Sequence, residues 1–494
     1  MEPISQLWYG FSVALEPYNL FYVFLGVLVG TVVGVLPGIG PSGAMAILLP
    51  LTTKFPPETA IIMLCGIMYG GMYGGSTTSI LMNIPGEPAS VITCLDGYKM
   101  SQQGRAGPAL GISAFGSYIA GTISIFGLIF LAPTLASFGL RFGPVEFVSL
   151  MIFAFIALSA LAIGSQIKAM IMVTLGVMLG TIGLDVVSGE PRFTFGLMYL
   201  WDGLPLIPIL MGLFGIGEIL VSLERFGKVE IFEKKIKGLL PTLQDWKDSI
   251  FGILRATGLS FLVGIIPGSG VVIPTFLSYT LEKRISKEPS KFGKGFIGGV
   301  AAAEAANNAA ANGALVPMLS LGIPHGPATA LLLAGLMLHG IQPGPLLIKE
   351  APQVFWGLIA SLYVGNIMLL VLNLPLIGLW VRILKIPYQS LSVSILLLCL
   401  IGAYAYNNSA GDIITMVIFG IIGYIAKKTD FELAPMIVGL ILGKMLEENF
   451  RRSLLISDGS FSIFLTRPIS LVFVVLSMIA LLVPLFLRRK PIAM

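Results

Sequence analysis

Charge is scarce in this chain of 494 residues. Asp, Glu, Lys and Arg make up 11% of it and hydrophobic residues 56%, whereas a soluble domain carries roughly 25% charged residues with which to cover its surface. This shortage excludes an ordinary soluble fold. The net charge is only +5, so there is no strongly basic face and we expect no nucleic-acid partner.

Cysteine and histidine are also rare, which limits the chemistry that the chain can perform. The three cysteines, Cys65, Cys94 and Cys399, lie in or beside apolar segments, and their spacing fits neither a disulfide framework nor a metal site. There are two histidines and no G-x-x-x-x-G-K-[ST] or H-E-x-x-H motif. We therefore expect a protein that is not an enzyme and has no cofactor.

Long apolar runs, by contrast, recur throughout the sequence. Segments such as Leu110–Leu135, Val145–Ile163 and Ile469–Leu487 contain few charges, and each can cross a hydrocarbon core about 30 Å thick. The pattern predicts an all-α polytopic protein of about 10–12 transmembrane segments, embedded in a lipid bilayer. The first 20 residues lack a basic start and an Ala-x-Ala end, so we expect no cleavable signal peptide.

Two motifs occur twice, in the same order. GVLPGIG at 34–40 matches GIIPGSG at 264–270, and NIPGEPAS at 83–90 matches GIPHGPAT at 322–329. Gly/Pro-interrupted apolar segments at matching places in two halves are typical of secondary transporters. We divide the chain into a first repeat (1–223), a basic cytoplasmic loop (224–249), a second repeat (250–467), and a C-terminal transmembrane helix with a basic tail (468–494).

The distribution of basic residues predicts how the repeats are oriented. Six Lys or Arg residues precede the segment Phe251–Tyr279 and five follow it, which places both of its ends in the cytoplasm. The segment then forms a re-entrant hairpin with Pro267–Gly270 at its tip. The matching hairpin, around Pro37–Gly40, has no basic residue before it, which favours the outer side and inverted repeats. The alternative is one long tilted helix and parallel repeats.

The hairpin tips are candidate substrate sites. Their glycines permit close approach of a ligand, and the free N–H groups at the ends of helices suit a carboxylate. Hydroxyl and amide side chains follow each tip, although the glycines could instead only allow a tight turn. The predicted substrate-binding residues are Pro37, Gly38, Gly40, Ser42, Ser76, Thr77, Thr78, Pro267, Gly268, Ser269, Gly270, Asn307, Asn308 and Asn312.

A candidate ion site lies in the Ala/Asn-rich stretch of the second repeat. Glu304, Asn308 and Asn312 share one face of a helix, with Asn307 beside them. Carboxylate and amide oxygens are ligands for a hard cation such as Na⁺, and Glu304 could instead carry a proton. The alternative is that these side chains only hydrogen-bond between helices. The predicted ion-binding residues are Glu304, Asn83, Gly322 and Pro324, the last three at helix breaks that free carbonyl oxygens.

Several stretches resemble one known family. GVLPGIGPSGA, MYGGSTTSILMNIPGEPAS, LDGYKMSQQGRAGPALG, EAANNAAANGALVPMLSLGIP and ENFRRSLLISDGSFSIF are similar to the large membrane subunit of the bacterial tripartite tricarboxylate transporter family, from about Gly34 to Arg467. His325 departs from the glycine-containing form that the family leads us to expect after Ile-Pro.

The resemblance implies a secondary carrier in the bacterial cytoplasmic (inner) membrane. Its implied partners are a small membrane subunit and a soluble periplasmic binding protein, and its implied substrates are citrate-like tricarboxylates and other organic carboxylates. Uptake would be coupled to an ion gradient of Na⁺ or H⁺, in an architecture like that of elevator-type carboxylate carriers. A channel or a membrane scaffold that does not transport is the alternative function.

Overall fold

The computed structural model describes residues 3–486 except 37, 39, 163, 186–187, 226–235, 237 and 385–387. Three parts of the sequence predictions lie outside the described residues: Pro37, residues 226–235 and 237 of the predicted basic loop, and the basic tail at 487–494. The described residues are mostly helical, which confirms the all-α prediction. Two short antiparallel strands, β1 (Gly183–Leu184) and β2 (Pro191–Arg192), pair Gly183 with Arg192 and Leu184 with Pro191.

Twenty-two α-helices follow one another in the described chain. Helices α1 to α10 are Pro3–Ala14, Pro17–Val35, Gly40–Leu48, Pro57–Met82, Val91–Gln102, Ala106–Gly139, Pro144–Ala160, Gln166–Gly180, Leu206–Leu210 and Gly217–Arg225; a π-helical segment, Met211–Ile216, joins the last two. Helices α11 to α22 are Leu243–Gly264, Val272–Ile285, Ile297–Leu321, Pro327–Leu338, Leu347–Glu350, Pro352–Asn373, Ile377–Ile383, Tyr388–Asn407, Ala410–Lys428, Leu433–Ile456, Ile463–Thr466 and Pro468–Phe486. Short 3₁₀ turns occupy Leu49–Lys54, Pro88–Ser90, Met198–Leu200 and Pro289–Lys291.

Many of these helices are apolar enough to lie in a bilayer. Among the described residues, five are long and apolar enough to cross it: Pro17–Val35, Ala106–Gly139, Leu206–Glu224, Pro352–Asn373 and Ala410–Lys428. Five shorter apolar helices accompany them. The chain is therefore a multi-pass membrane protein, and the number of 10–12 spans stays a prediction.

The second predicted hairpin is present. Helices α11 and α12 run antiparallel: Ser260 and Ser278 share a hydrogen bond of 2.8 Å between their hydroxyls, and Arg255 donates twice to Glu282. The chain reverses between them, where Gly268 and Gly270 have φ of 86° and 55°. The alternative of one long helix over 251–279 is wrong, because the chain turns back at these glycines.

The first hairpin repeats this backbone. Helices α2 and α3 are joined by a turn in which Gly38 and Gly40 have φ of 106° and 63°. These are the positions that match Gly268 and Gly270 in the sequence repeat. Both turns therefore need left-handed backbone at the same two places, which glycine adopts without steric cost.

Each hairpin packs its first arm along the long helix that follows it. Along α2, the residues Gly26, Gly30 and Gly34 face the carbonyl oxygens of Met63, Ile67 and Gly71 on α4. In the second repeat a Cβ at Gly264 of α11 would lie 2.5 Å from the Ala310 oxygen of α13. Without side chains the backbones approach closely, as small-residue interfaces in membranes do.

A side chain at Gly30 would separate α2 from α4. We expect Gly30→Val to destabilise the protein by about 1–3 kcal/mol or more, because its Cβ overlaps the Ile67 carbonyl oxygen and the neighbouring helix cannot relax. Gly258→Ala is the matched control, since a Cβ there meets open space. Thermal unfolding of the two purified variants in detergent measures the difference, and equal stability would contradict the close packing.

Candidate functional site

The long helices α4 and α13, one from each half, cross near the middle of the protein. Tyr69 of α4 donates a hydrogen bond to the Asn312 side-chain oxygen of α13, and Ser76 donates to Glu304. The contact on α13 moves from 312 back to 304 as α4 advances from 69 to 76. The two helices therefore run antiparallel, although they occupy corresponding places in the sequence repeat.

Asn312 is fully engaged in holding helices together. Its Oδ1 accepts from Tyr69, and its Nδ2 donates to Ser124 Oγ at 2.7 Å and to the Gly121 oxygen at 3.2 Å. It thus joins α13 to α4 and α6, and both of its N–H groups are occupied. For this predicted substrate residue, the structure favours interhelical hydrogen bonding.

Glu304 is completely buried, with an exposed fraction of 0%. Its two carboxylate oxygens accept hydrogen bonds from Ser76 of α4 and Thr93 of α5. The hydroxyl residues that follow the first hairpin therefore reach across to the second repeat.

A second carboxylate, which the sequence analysis missed, lies beside the first. Glu87 is 5% exposed and accepts a hydrogen bond from Asn307 Nδ2. It sits in the break between α4 and α5, where its own N–H donates to Ser90 Oγ at 3.3 Å. An acid between two prolines of an apolar segment was a visible signal, because ionisable residues inside membranes are rare.

Two amide oxygens in the same place have no partner. Asn307 Oδ1 and Asn308 Oδ1 are buried and accept no hydrogen bond. Asn308 donates only through Nδ2, to the Glu304 backbone oxygen at 3.2 Å. Glu87, Glu304, Asn307 and Asn308, called the acidic cluster below, thus combine two carboxylates with two free carbonyl-type oxygens.

The tip of the first hairpin packs against the break of its own repeat. Thr78 donates to the Val35 oxygen at 2.9 Å, and Ser222 donates to the Gly38 oxygen at 3.0 Å. Gly86 lies so close to Gly34 and Gly75 that a Cβ has no room. Of the other residues predicted here, Gly40 and Ser42 are half-buried at the start of α3 and Thr77 is buried on α4.

The second tip likewise meets its own break. Ser269 Oγ lies 3.3 Å from His325 Nε2 and donates to the Val263 oxygen at 2.9 Å. His325 is 3% exposed, and its Nδ1 has no partner. Thr329 Oγ1 accepts from the N–H groups of His325 and Gly326 at 2.8 and 3.0 Å. Ser269, His325, Gly326 and Thr329 are called the histidine cluster below; the neighbouring Pro267, Gly268 and Gly270 are half-buried.

The two helix breaks have the same local design. Asn83 ends α4 and Gly322 ends α13, both in the left-handed conformation with φ of 57° and 71°. Because α4 and α13 run antiparallel, their C-terminal breaks lie toward opposite ends of the crossed pair. The predicted ion ligands are thereby divided: exposed Asn83 belongs to one end, and buried Gly322 and Pro324 belong to the other.

The two ends also differ in chemistry. Asn83 and Gly322 are 239 positions apart, and this offset pairs Glu304 with Cys65 and Asn307 with Met68. It likewise pairs Glu87 with Gly326 and Gly86 with His325. The break beside the acidic cluster thus faces carboxylates and amides, whereas the equivalent positions of the other half carry no acid and add a histidine.

Comparison with known proteins identifies one family and several uncharacterized relatives. The model of the tripartite tricarboxylate transporter TctA family matches residues 20–438. An uncharacterized 52.8 kDa protein in the TAR-I ttuC' 3' region of Agrobacterium vitis is 45% identical over 470 residues, 95% of this chain and 94% of that protein. The uncharacterized protein MJ1079 of Methanocaldococcus jannaschii is 25% identical over 274 residues, 54% of this chain and 62% of that protein. No solved structure gives a significant match.

Proposed function

Because the chain belongs to the tripartite tricarboxylate transporter TctA family, we propose that it imports an organic tricarboxylate or dicarboxylate by symport with Na⁺ or H⁺. It acts in the bacterial cytoplasmic membrane, where a periplasmic binding protein delivers the substrate and a small membrane subunit completes the transporter. The family supports a transporter rather than an enzyme.

One observation carries this proposal: a glycine turn meets a helix break twice, among buried polar groups of an otherwise apolar protein. Broken helices inside a membrane are tolerated only where the backbone lines a cavity or is buried in protein. Pairs of them in matching halves are the usual place of a transporter's site. The antiparallel course of α4 and α13 supports inverted repeats, since parallel repeats would place equivalent helices in the same direction.

The histidine cluster is the better place for the anionic substrate. His325 Nδ1 is buried without a partner, and the N–H groups in the first turn of α14 have no partners within that helix. The N–H groups suit a carboxylate at the positive end of a helix, and the imidazole can donate to it in the form whose Nδ1 carries a proton. The acidic cluster already holds two carboxylates, and like charges at close range would repel an anion.

Transport follows from alternating exposure of this site. The core that carries the hairpins, α2–α5 and α11–α14, moves against the plainer helices such as α18, α19 and α22. The substrate then faces each side of the membrane in turn. A channel would instead need a continuous polar path, whereas the polar groups are gathered at two breaks.

Reconstitution tests the function directly. We expect proteoliposomes containing the chain and its small membrane subunit to take up radiolabelled citrate or succinate when the substrate-loaded binding protein is added. The rate should saturate, because a closed site binds one substrate per cycle, and should fall when an ionophore collapses the Na⁺ or H⁺ gradient. Vesicles without the chain are the control. Uptake that stays linear and independent of the gradient would indicate a channel, and absence of uptake would indicate a scaffold.

Substitutions at the second tip test the substrate position. We expect Ser269→Ala and His325→Gly each to lower kcat/KM for uptake by about 10–100-fold, the effect of losing one hydrogen bond to a charged group. The loss should appear mainly as a higher KM. Thr134→Ala, at an exposed position on α6, is the control. Wild-type KM and kcat in both cluster variants would place the substrate elsewhere.

A further inference from the structure

The acidic cluster buries negative charge without a compensating side chain. Glu87 and Glu304 are 5% and 0% exposed, and the donors that reach their carboxylates belong to neutral residues. Ser76 and Thr93 donate to Glu304 and Asn307 donates to Glu87, and Ser113 and Ser117 also lie against Glu304. Among the residues that the structure describes, no Lys, Arg or His pairs with either acid. Two other buried acids do have such partners: Glu282 pairs with Arg255, and Asp245 pairs with Arg105.

Burying an isolated ionised carboxylate in a low-dielectric interior is unfavourable by several kcal/mol, roughly the free energy of removing the ion from water. Two neighbouring ones cost more, since they also repel each other. Neutral hydroxyl and amide donors offset only part of this. Such a group is retained in a membrane protein when a proton or a metal cation neutralises it.

The unpartnered amide oxygens point independently to a cation. Asn307 Oδ1 and Asn308 Oδ1 are buried acceptors without donors, on residues that are 1% and 0% exposed. Asn307 is tied to the cluster through its own Nδ2, which donates to Glu87. Leaving a buried acceptor unpaired is unfavourable, and amide and carboxylate oxygens together form a ligand set for a hard cation.

The other half of the protein shows that the cluster is not demanded by the fold. At the positions that correspond by the repeat, Cys65, Met68 and Gly326 stand where Glu304, Asn307 and Glu87 stand in the acidic cluster. The fold thus builds the same break without an acid, and among the described residues the two carboxylates lie at one break only.

We propose that Glu87, Glu304, Asn307 and Asn308 form a single binding site for one monovalent cation, Na⁺ or a proton, spatially separate from the anionic substrate. The inference rests on the proposed function, because it names the coupling-ion site of that transporter. Both repeats supply ligands, so binding the cation holds the break of the first repeat against α13. Its release loosens this contact between the halves.

Cation binding is measured on the purified full-length chain, without transport. If Na⁺ is the ligand, thermal unfolding of the wild type shifts to higher temperature in NaCl relative to choline chloride at equal ionic strength, because a ligand stabilises the state that binds it. If a proton is the ligand, Na⁺ has no effect and the unfolding temperature rises as pH falls from about 7.5 to 5. The facing Tyr73 and Cys94 have groups that ordinarily stay protonated over this range.

Glu304→Gln and Glu87→Gln, which keep size and lose charge, should abolish whichever response the wild type shows. Glu146→Gln is the matched control, a buried acid at the start of α7 that pairs with Arg467, and it should keep the response. Should the Gln variants not fold, Asn308→Ala is examined instead. If Na⁺ is the ligand, the Na⁺ concentration that gives half of the stabilisation should be about tenfold higher in this variant, which corresponds to the loss of about 1.4 kcal/mol of binding free energy.

Two outcomes overturn the proposal. The wild type could respond to neither Na⁺ nor pH, or the cluster variants could respond as the wild type does. If the wild type responds to pH and both Gln variants keep that response, the proposal is likewise overturned. Since binding is read without substrate, a failure of carboxylate uptake would count against the proposed function alone.

Discussion

The structure depends on hydrogen bonds that the buried helix α13 makes with α4, with α5 and with the break between them, inside an apolar protein. In a bilayer the hydrophobic effect does not drive helices together, so close packing and polar contacts must do so. Ser76 and Thr93 hold Glu304, Asn307 holds Glu87, and Tyr69 holds Asn312. Each bond joins the first half of the chain to the second. Any movement of one half against the other must either break these hydrogen bonds or move both partners of each bond together.

This dependence connects packing to function. Glycines allow α2 to lie against α4, and this places the first hairpin tip beside the break that carries Glu87. The same arrangement in the second half places Ser269 beside His325. One end of the crossed pair is therefore acidic and the other offers N–H donors. The proposed symport of an anion with a cation would use these two environments separately, and the contacts between α4 and α13 connect them.

Much of this could be predicted from local sequence. The glycines of the two tips and the breaks at Asn83 and Gly322 are determined by backbone conformations that few residues adopt, so the repeat predicted their places. The glycines at every fourth position of α2 were a further readable signal of close packing. Glu87 was visible as an acid in an apolar segment, but its contact with Asn307 could not be predicted, because the two residues are 220 positions apart. The interhelical hydrogen bonds of Asn312 could not be predicted either, because amides that bind ligands and amides that join helices look alike in a sequence.

The relative direction of the two halves is the central claim, and the sides of two loops test it. Single cysteines at Lys54 and Lys294, both exposed, would be introduced before α4 and α13 in a variant without the three native cysteines. A membrane-impermeant thiol reagent applied to intact cells should label one position only from outside and the other only after the membrane is opened. Labelling of both from the same side would contradict the inverted arrangement.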